Sequence, residues 1–354
     1  MKKLFSFILA ALAAASLTAF AFADEPVRSS GVTLSVGSAD GLTLDGSALL
    51  HPGEEYRFPL LIAEGGGAAR PMTVEDMETY RIKVFAKDGA GAMADAGRLE
   101  SGRQQYLSLT PADIFTVSTQ EVKYTVALQK KNSDNTLSQV TVQWKVGYPA
   151  IDDSQLGAST AIDLSAPVIT KEQFAAIQKA AGAGQASFTG SGWQFDVRLL
   201  DQDAANFHYS AQNIREISDQ YPDADFRFLR FGGKPSFDFS GRLTLDVREV
   251  LDQYDEIYLY RYLDGVLYAL KYDLDRDAQT ISIQTKQLGS YVISDTRIPN
   301  GTAVHGASSG GSFVSGADKD NPSTGGAGFI GIIPALAVLF ATGGAAAVAK
   351  SRRK

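Results

Sequence analysis

The chain contains no cysteine and only three histidines in 354 residues. Without thiols there is no disulfide framework, no Cys-ligated zinc or iron–sulfur centre, and no thiol nucleophile. His51, His208 and His305 stand far apart in sequence, too few and too scattered for a His-rich metal site. No H-E-x-x-H pair is present, which removes the commonest helical zinc-hydrolase arrangement. Long apolar runs are confined to the two ends of the chain. The rest is 21% charged overall and rich in glycine, with 34 residues of that type.

Positive charge is scarce once the ends are set aside. The chain has 33 Lys and Arg against 40 Asp and Glu, a net of −7. Six of the cations, Lys2, Lys3, Lys350, Arg352, Arg353 and Lys354, lie at the termini. The remaining 27 against 40 leave the body at −13, which repels phosphate backbones and excludes nucleic acid as a partner. With 44% hydrophobic residues the body still has ample material for packed cores.

Both ends read as addresses. Lys2 and Lys3 precede an uncharged stretch from Leu4 to Phe20, and Ala21-Phe22-Ala23 stands just before Asp24. This is the pattern of a secretory leader, residues 1–23, with cleavage expected after Ala23. At the other end, residues 327–349 carry no charge. As a helix they would span about 34 Å, enough for the ~30 Å hydrocarbon core. The basic close at Lys350, Arg352, Arg353 and Lys354 would remain cytoplasmic, leaving everything upstream outside. Pro334 and Gly343-Gly344 weaken that helix, which suits a temporary membrane stop.

Just ahead of the span stands Asn321-Pro322-Ser323-Thr324-Gly325. Pentapeptide, apolar stretch and basic tail together resemble the cell-wall sorting signal of Gram-positive surface proteins. The resemblance implies a membrane-bound sortase that cuts between Thr324 and Gly325. It then passes the Thr324 carbonyl to an amine of the peptidoglycan precursor. Pro322 fixes a bend in an extended peptide that a groove can read. The commonest form of the signal has Leu where this chain has Asn321; Asn occurs in variant signals. A plain single-pass membrane anchor is the alternative, whereas a GPI signal would end apolar rather than in SRRK. Residues 298–320 are dominated by Gly and Ser and read as a flexible spacer holding the body about 25 Å from its attachment point.

Between the ends the fold class reads as mainly β, in two sandwich-like domains. Val122, Tyr124, Val126 and Leu128 alternate with polar residues, as do Val140, Val142, Trp144 and Val146 after the turn-rich 130–136. Such alternation predicts a hairpin with one face buried, within a sandwich covering 24–151. After a polar break at 152–158, strands resume over 158–297 with one short helix. That helix is expected over 170–181, where Thr170 and Gln173 form a capping signature and Phe174 and Ile177 share a face. Asp264-Gly265 is a type I′ hairpin signal setting Leu263 opposite Val266. Its register gathers Tyr258, Tyr260 and Tyr262 on one face. That face is either an exposed aromatic ledge for a glycan or protein, or part of a covered layer. Residues 237–295 also resemble, loosely, a module preceding wall anchors in surface proteins of gut clostridia.

Chemistry-bearing clusters are few. Asp273, Asp275 and Asp277 begin like a calcium loop, but Ala278 and Gln284 stand where Gly and Glu are required. Asp201, Asp203 and His208 could converge as an acid–base or metal cluster, or simply end a strand. His51 has no identifiable partner. Lys145, mid-strand, is a candidate for an isopeptide cross-link of the kind found in sortase-built pilins. These features point to a wall-anchored binding or structural surface protein rather than a catalyst, with no cofactor. Its expected partners are sortase, the peptidoglycan precursor, the membrane before processing, and an extracellular glycan or protein. An extracellular glycan-active enzyme is the alternative.

Overall fold

The computed structural model describes residues 31–305. The chain opens with β1 (Val32–Val36), β2 (Asp45–Leu50), β3 (Tyr56–Glu64), β4 (Arg70–Pro71), α1 (Asp76–Thr79) and β5 (Tyr80–Asp88). It continues through β6 (Met93–Ser101), β7 (Gln104–Pro111), β8 (Gln120–Lys130) and β9 (Thr136–Val146). One sheet has the order β1-β3-β7-β6, with β4 also paired to β3; the other runs β2-β9-β8-β5. The alternating strands turn their apolar sets toward each other. Phe58, Leu60 and Ile62 of β3 are buried against Val122, Val126 and Leu128 of β8 and Trp144 of β9 within one core. The β8–β9 register sets Val122 opposite Trp144 and Tyr124 opposite Val142, as the period-2 pattern requires.

The second set of strands is β10 (Ser159–Ala161), β11 (Val168–Ile169), β12 (Ala186–Gly190), β13 (Trp193–Val197), β14 (Ala205–Asn206), β15 (Tyr209–Ser210) and β16 (Phe226–Phe231). After them come β17 (Ser236–Asp246), β18 (Tyr258–Leu263), β19 (Val266–Ala269), β20 (Asp273–Asp275), β21 (Thr280–Gln287), β22 (Ser290–Ser294) and β23 (Thr302–Ala303). Three helices interrupt them: α2 (Lys171–Ala181), α3 (Arg215–Gln220) and α4 (Arg248–Leu251). A six-stranded sheet β10-β12-β13-β17-β21-β20 faces a second, β15-β16-β22-β18-β19-β23, with β11 and β14 as a small separate pair. Phe188, Trp193, Phe195, Leu243 and Leu245 from the first meet Phe231, Leu259, Tyr291 and Ile293 from the second. Among the described residues, no ladder joins a strand before Val146 to one after Ser159.

The second of these sheets is covered on its back as well. Phe228, Tyr260, Leu267 and Val292 point away from the inter-sheet core and pack beneath Ile214 and Ile217 at α3, with Ile298 and Val304 from the chain's return. Two expectations change accordingly. The part after residue 158 holds three helices rather than one, since α3 and α4 are too short to carry a helical period. The chain also stays folded beyond residue 297. Thr302 and Ala303 pair with β19, and Ile298 and Val304 bury their side chains. Ile298 and Val304 anchor the segment, with backbone bonds from the Gly301 amide to Leu267 O and from the Val304 amide to Gly265 O.

The stretch between the sandwiches is tied down. Thr170 and Gln173 form the full capping box of α2. The Gln173 amide nitrogen also donates to the Ile151 carbonyl and to the Asp153 carboxylate, both at 2.7 Å. Asp152 accepts from the Ser154 amide at 2.8 Å, closing a local turn.

Candidate functional site

The hairpin at β18–β19 forms as its turn residues dictate. Leu263 opposes Val266, and both Asp264 and Gly265 have positive φ, at 49° and 78°, the geometry of a type I′ turn. The tyrosine face, however, is not a ledge. Tyr260 is 1% exposed, and its hydroxyl accepts a 2.6 Å hydrogen bond from the Ile298 amide. Tyr258 and Tyr262 are half-buried against the same back layer. The covering residues, 214–217 and 298–304, come from distant parts of the chain. The exposed apolar residues of the hairpin, Leu263 and Tyr268, lie near its tip.

The acidic clusters disperse into ordinary contacts. Asp201 and Asp203 are exposed and share the Lys171 ammonium at 3.1 and 3.2 Å; His208 belongs elsewhere. Asp275 accepts from the Ala278 amide at 2.9 Å, closing a turn after β20, and Asp273 and Asp277 are exposed. Lys145 has Leu49 and Glu121 as its register neighbours; neither is the Asn an isopeptide needs. Between the two sheets of the second sandwich, a cavity lined by Leu229, Leu245 and Tyr291 measures about 30 Å³. That is room for a water or two, not an organic ligand.

The densest gathering of chemistry-bearing side chains sits where the two sandwiches meet. Tyr148, just past β9, stacks on His51 from the β2–β3 turn and on His208 from β14–β15, with ring centres 5.5 and 4.8 Å away. Phe115, from the β7–β8 loop, closes the group at 5.0 Å from His208 and 6.2 Å from Tyr148. Beside the rings, the buried Asn206 donates to the Thr116 carbonyl at 3.1 Å and accepts from the His208 amide at 2.8 Å. Burial, with the His51 charge second, pushes the His208 imidazole down to about 4. Its buried Nδ1 meets no hydrogen-bond partner. Burial likewise raises the Asp113 carboxyl, with the Arg230 charge opposing it. Tyr148 is raised by burial and then by the neighbouring acids Asp113 and Glu54.

Sequence reasoning missed this group because all four rings lie in loops, where no period marks them. The signal present was local: Phe207-His208 between β14 and β15, and Tyr148 within Gly147-Tyr148-Pro149 just past β9.

The leader site at Ala21 and Ala23, the pentapeptide Asn321 to Gly325, the apolar stretch 327–349 and the basic close at Lys350, Arg352, Arg353 and Lys354 lie outside the described residues. Within those residues, no helix is long and apolar enough to cross a membrane.

No known protein family matches the chain, and no curated protein does at the sequence level. Among solved structures it is similar to the C-terminal domain of the AgI/II polypeptide BspA of Streptococcus agalactiae. That similarity has 10% identity and a TM-score of 0.19, over 74% of this chain and 89% of the other. The titin domains Z1Z2 in complex with telethonin are similar at 9% identity and a TM-score of 0.19, over 73% and 87% of the two chains. Protocadherin Gamma B7 extracellular cadherin domains 1–4 are similar at 10% identity and 0.22, over 70% and 67%. Likeness of this size carries no inference about role.

Proposed function

We propose that this chain is an exported surface protein linked to peptidoglycan through Thr324 by a sortase, and that its β-sandwich body has a binding or structural role rather than a catalytic one. The observation that carries this reading is placement. Asn321-Pro322-Ser323-Thr324-Gly325 precedes by one residue an uncharged stretch of 23 residues, closed by Lys-Ser-Arg-Arg-Lys. A string of the form N-P-x-T-G is common by chance; one set against a membrane stop, in a chain opening on an export leader, is not.

The chemistry is an amide exchange. The Thr324–Gly325 bond breaks, the Thr324 carbonyl joins a peptidoglycan amine, and the proton displaced from that amine ends on the new Gly325 amino group. No oxidant or metal is needed. Residues 305–320 separate the folded body from the pentapeptide, and as a Gly/Ser coil they reach about 22 Å. An accessible, extended substrate strand is what a groove-bearing enzyme at the bilayer surface requires. A non-catalytic body is supported by the fate of its ionisable residues. Lys171, Asp201 and Asp203 are spent in an exposed ion-pair cluster, and His51 and His208 pack against rings.

Cell fractionation of Thr324→Ala tests the reading. The variant should be exported but stay with the membrane, extractable by detergent and missing from muramidase-released wall fragments. Deletion of 327–354 should send the protein into the medium. Equal recovery of wild type and Thr324→Ala from the detergent fraction alone would make this an ordinary membrane anchor.

A further inference from the structure

The ring cluster between the sandwiches is a built interface. Phe115 and the Thr116 carbonyl from the first sandwich dock on Gly232, Asn206 and His208 of the second. Tyr148 carries a histidine from each side. We propose that this seam is an acid-released hinge. While neutral, His208, enclosed by Tyr148 and Phe115 and faced by His51, holds the two sandwiches in one rigid orientation; when it takes a proton, it lets them swing apart.

The reason is how poorly a charge is carried on the side of the ring turned into the seam. The buried Nδ1 of His208 meets no hydrogen-bond partner, the Tyr148 and Phe115 rings pack against the imidazole, and the charge that acts on it is that of another histidine, His51. A proton on His208 would therefore be largely desolvated between ring faces with its Nδ1 unpartnered, a cost relieved when the rings separate into water. The sign follows from linkage. The imidazole is held below its ordinary 6.5, at about 4, so closure is fully favoured above 6.5 and weakens as pH falls between those values. With a free histidine in the open form, the open-to-closed ratio rises about 20-fold between neutrality and pH 5.

The other charges around the seam set the background. From the first sandwich, His51, Glu54, Tyr56, Asp113 and Tyr148 face the group; from the second, Arg230 does. Glu54 is engaged by the Tyr56 hydroxyl at 2.7 Å. Asp113 has the opposite sign to His208. Its carboxyl is raised by burial, so acid favours its seated form. The release is therefore carried by His208.

The native chain lacks cysteine, so two introduced thiols label the full chain uniquely. Lys131→Cys on the first sandwich and Lys286→Cys on the second, both exposed, accept a donor and acceptor dye in detergent solution. Single-molecule energy transfer should give one narrow population at pH 7.5 and a growing second one by pH 5. His208→Phe should keep the single population throughout, because the phenyl ring preserves stacking and Nδ1 had no partner to lose. If that variant misfolds, His51→Phe serves instead. It removes the facing charge and should weaken the acid response. Emission from Trp144 and Trp193, buried in the two separate cores, should stay constant during opening. One unchanged population down to pH 4.5 would overturn the hinge. So would an identical acid response in His208→Phe, or a tryptophan shift tracking the distance change.

Discussion

Phe115 packs so closely on Gly232 that a Cβ at residue 232 would lie 2.6 Å from the Phe115 Cγ. The contact spans the seam, so residue 232 is glycine because of a ring from the other sandwich. Gly232→Ala should force the two surfaces apart, at about 1–3 kcal/mol as for other overpacked sites. Combining it with Phe115→Ala should recover part of that loss, since the clash then has no partner. Urea unfolding of the four-member cycle measures the coupling.

Gln173 ties the start of α2 to the stretch after β9. Its carbonyl accepts from Thr170 N at 3.0 Å, while its amide nitrogen reaches Ile151 and Asp153. Gln173→Ala should cost about 2–3 kcal/mol, against about 1 kcal/mol for loss of the Thr170 cap alone. Residues 152–158 should then become protease-sensitive, whereas in the wild type they should resist limited digestion better than residues 306–320.

Asp76 is gripped at both oxygens by Arg70, each at 2.7 Å, and accepts from the Thr73 amide at 2.8 Å. The Arg70 fork holds its carboxyl below the ordinary 3.8. A depressed carboxylate stabilises the fold above its unfolded value and loses that contribution as pH falls through the folded one. Asp76→Asn should therefore cost about 1–2 kcal/mol at pH 7, allowing for the half-exposed arginine. The gap between variant and wild type should narrow below about pH 4. Urea midpoints at pH 7, 4 and 3 decide this.

Tyr260 separates a core role from a recognition role. Tyr260→Phe leaves the Ile298 amide without its hydroxyl partner in a buried layer, which should cost about 1–3 kcal/mol. Hydrogen exchange at Ile298 and its neighbours up to Val304 should accelerate. A tyrosine serving a surface ligand would lose binding on this change and leave exchange untouched.

Much of the fold was legible because the relevant forces are local. Val122 to Leu128 alternate since β8 buries one face, and Thr170 with Gln173 mark a helix start because the cap is made within four residues. Asp264-Gly265 marks its turn because both residues need positive φ. The rest depends on what covers a strand, which the strand itself does not encode. Tyr258, Tyr260 and Tyr262 lie under residues from both earlier and later in the chain, so either face could have been the wet one. His51 and His208 gave no pairing signal because each meets its partner across two sandwiches, through Tyr148. The pentapeptide, by contrast, is read as a linear string, and its meaning rests on order and spacing alone.

The most direct measurement of the anchoring claim is mass spectrometry of the chain's last peptide, from protein released by muramidase. The expected result is a peptide ending at Thr324 with a peptidoglycan amine added in amide linkage, and no trace of residues 325–354. An intact Lys354 on protein recovered only from detergent extracts would contradict it.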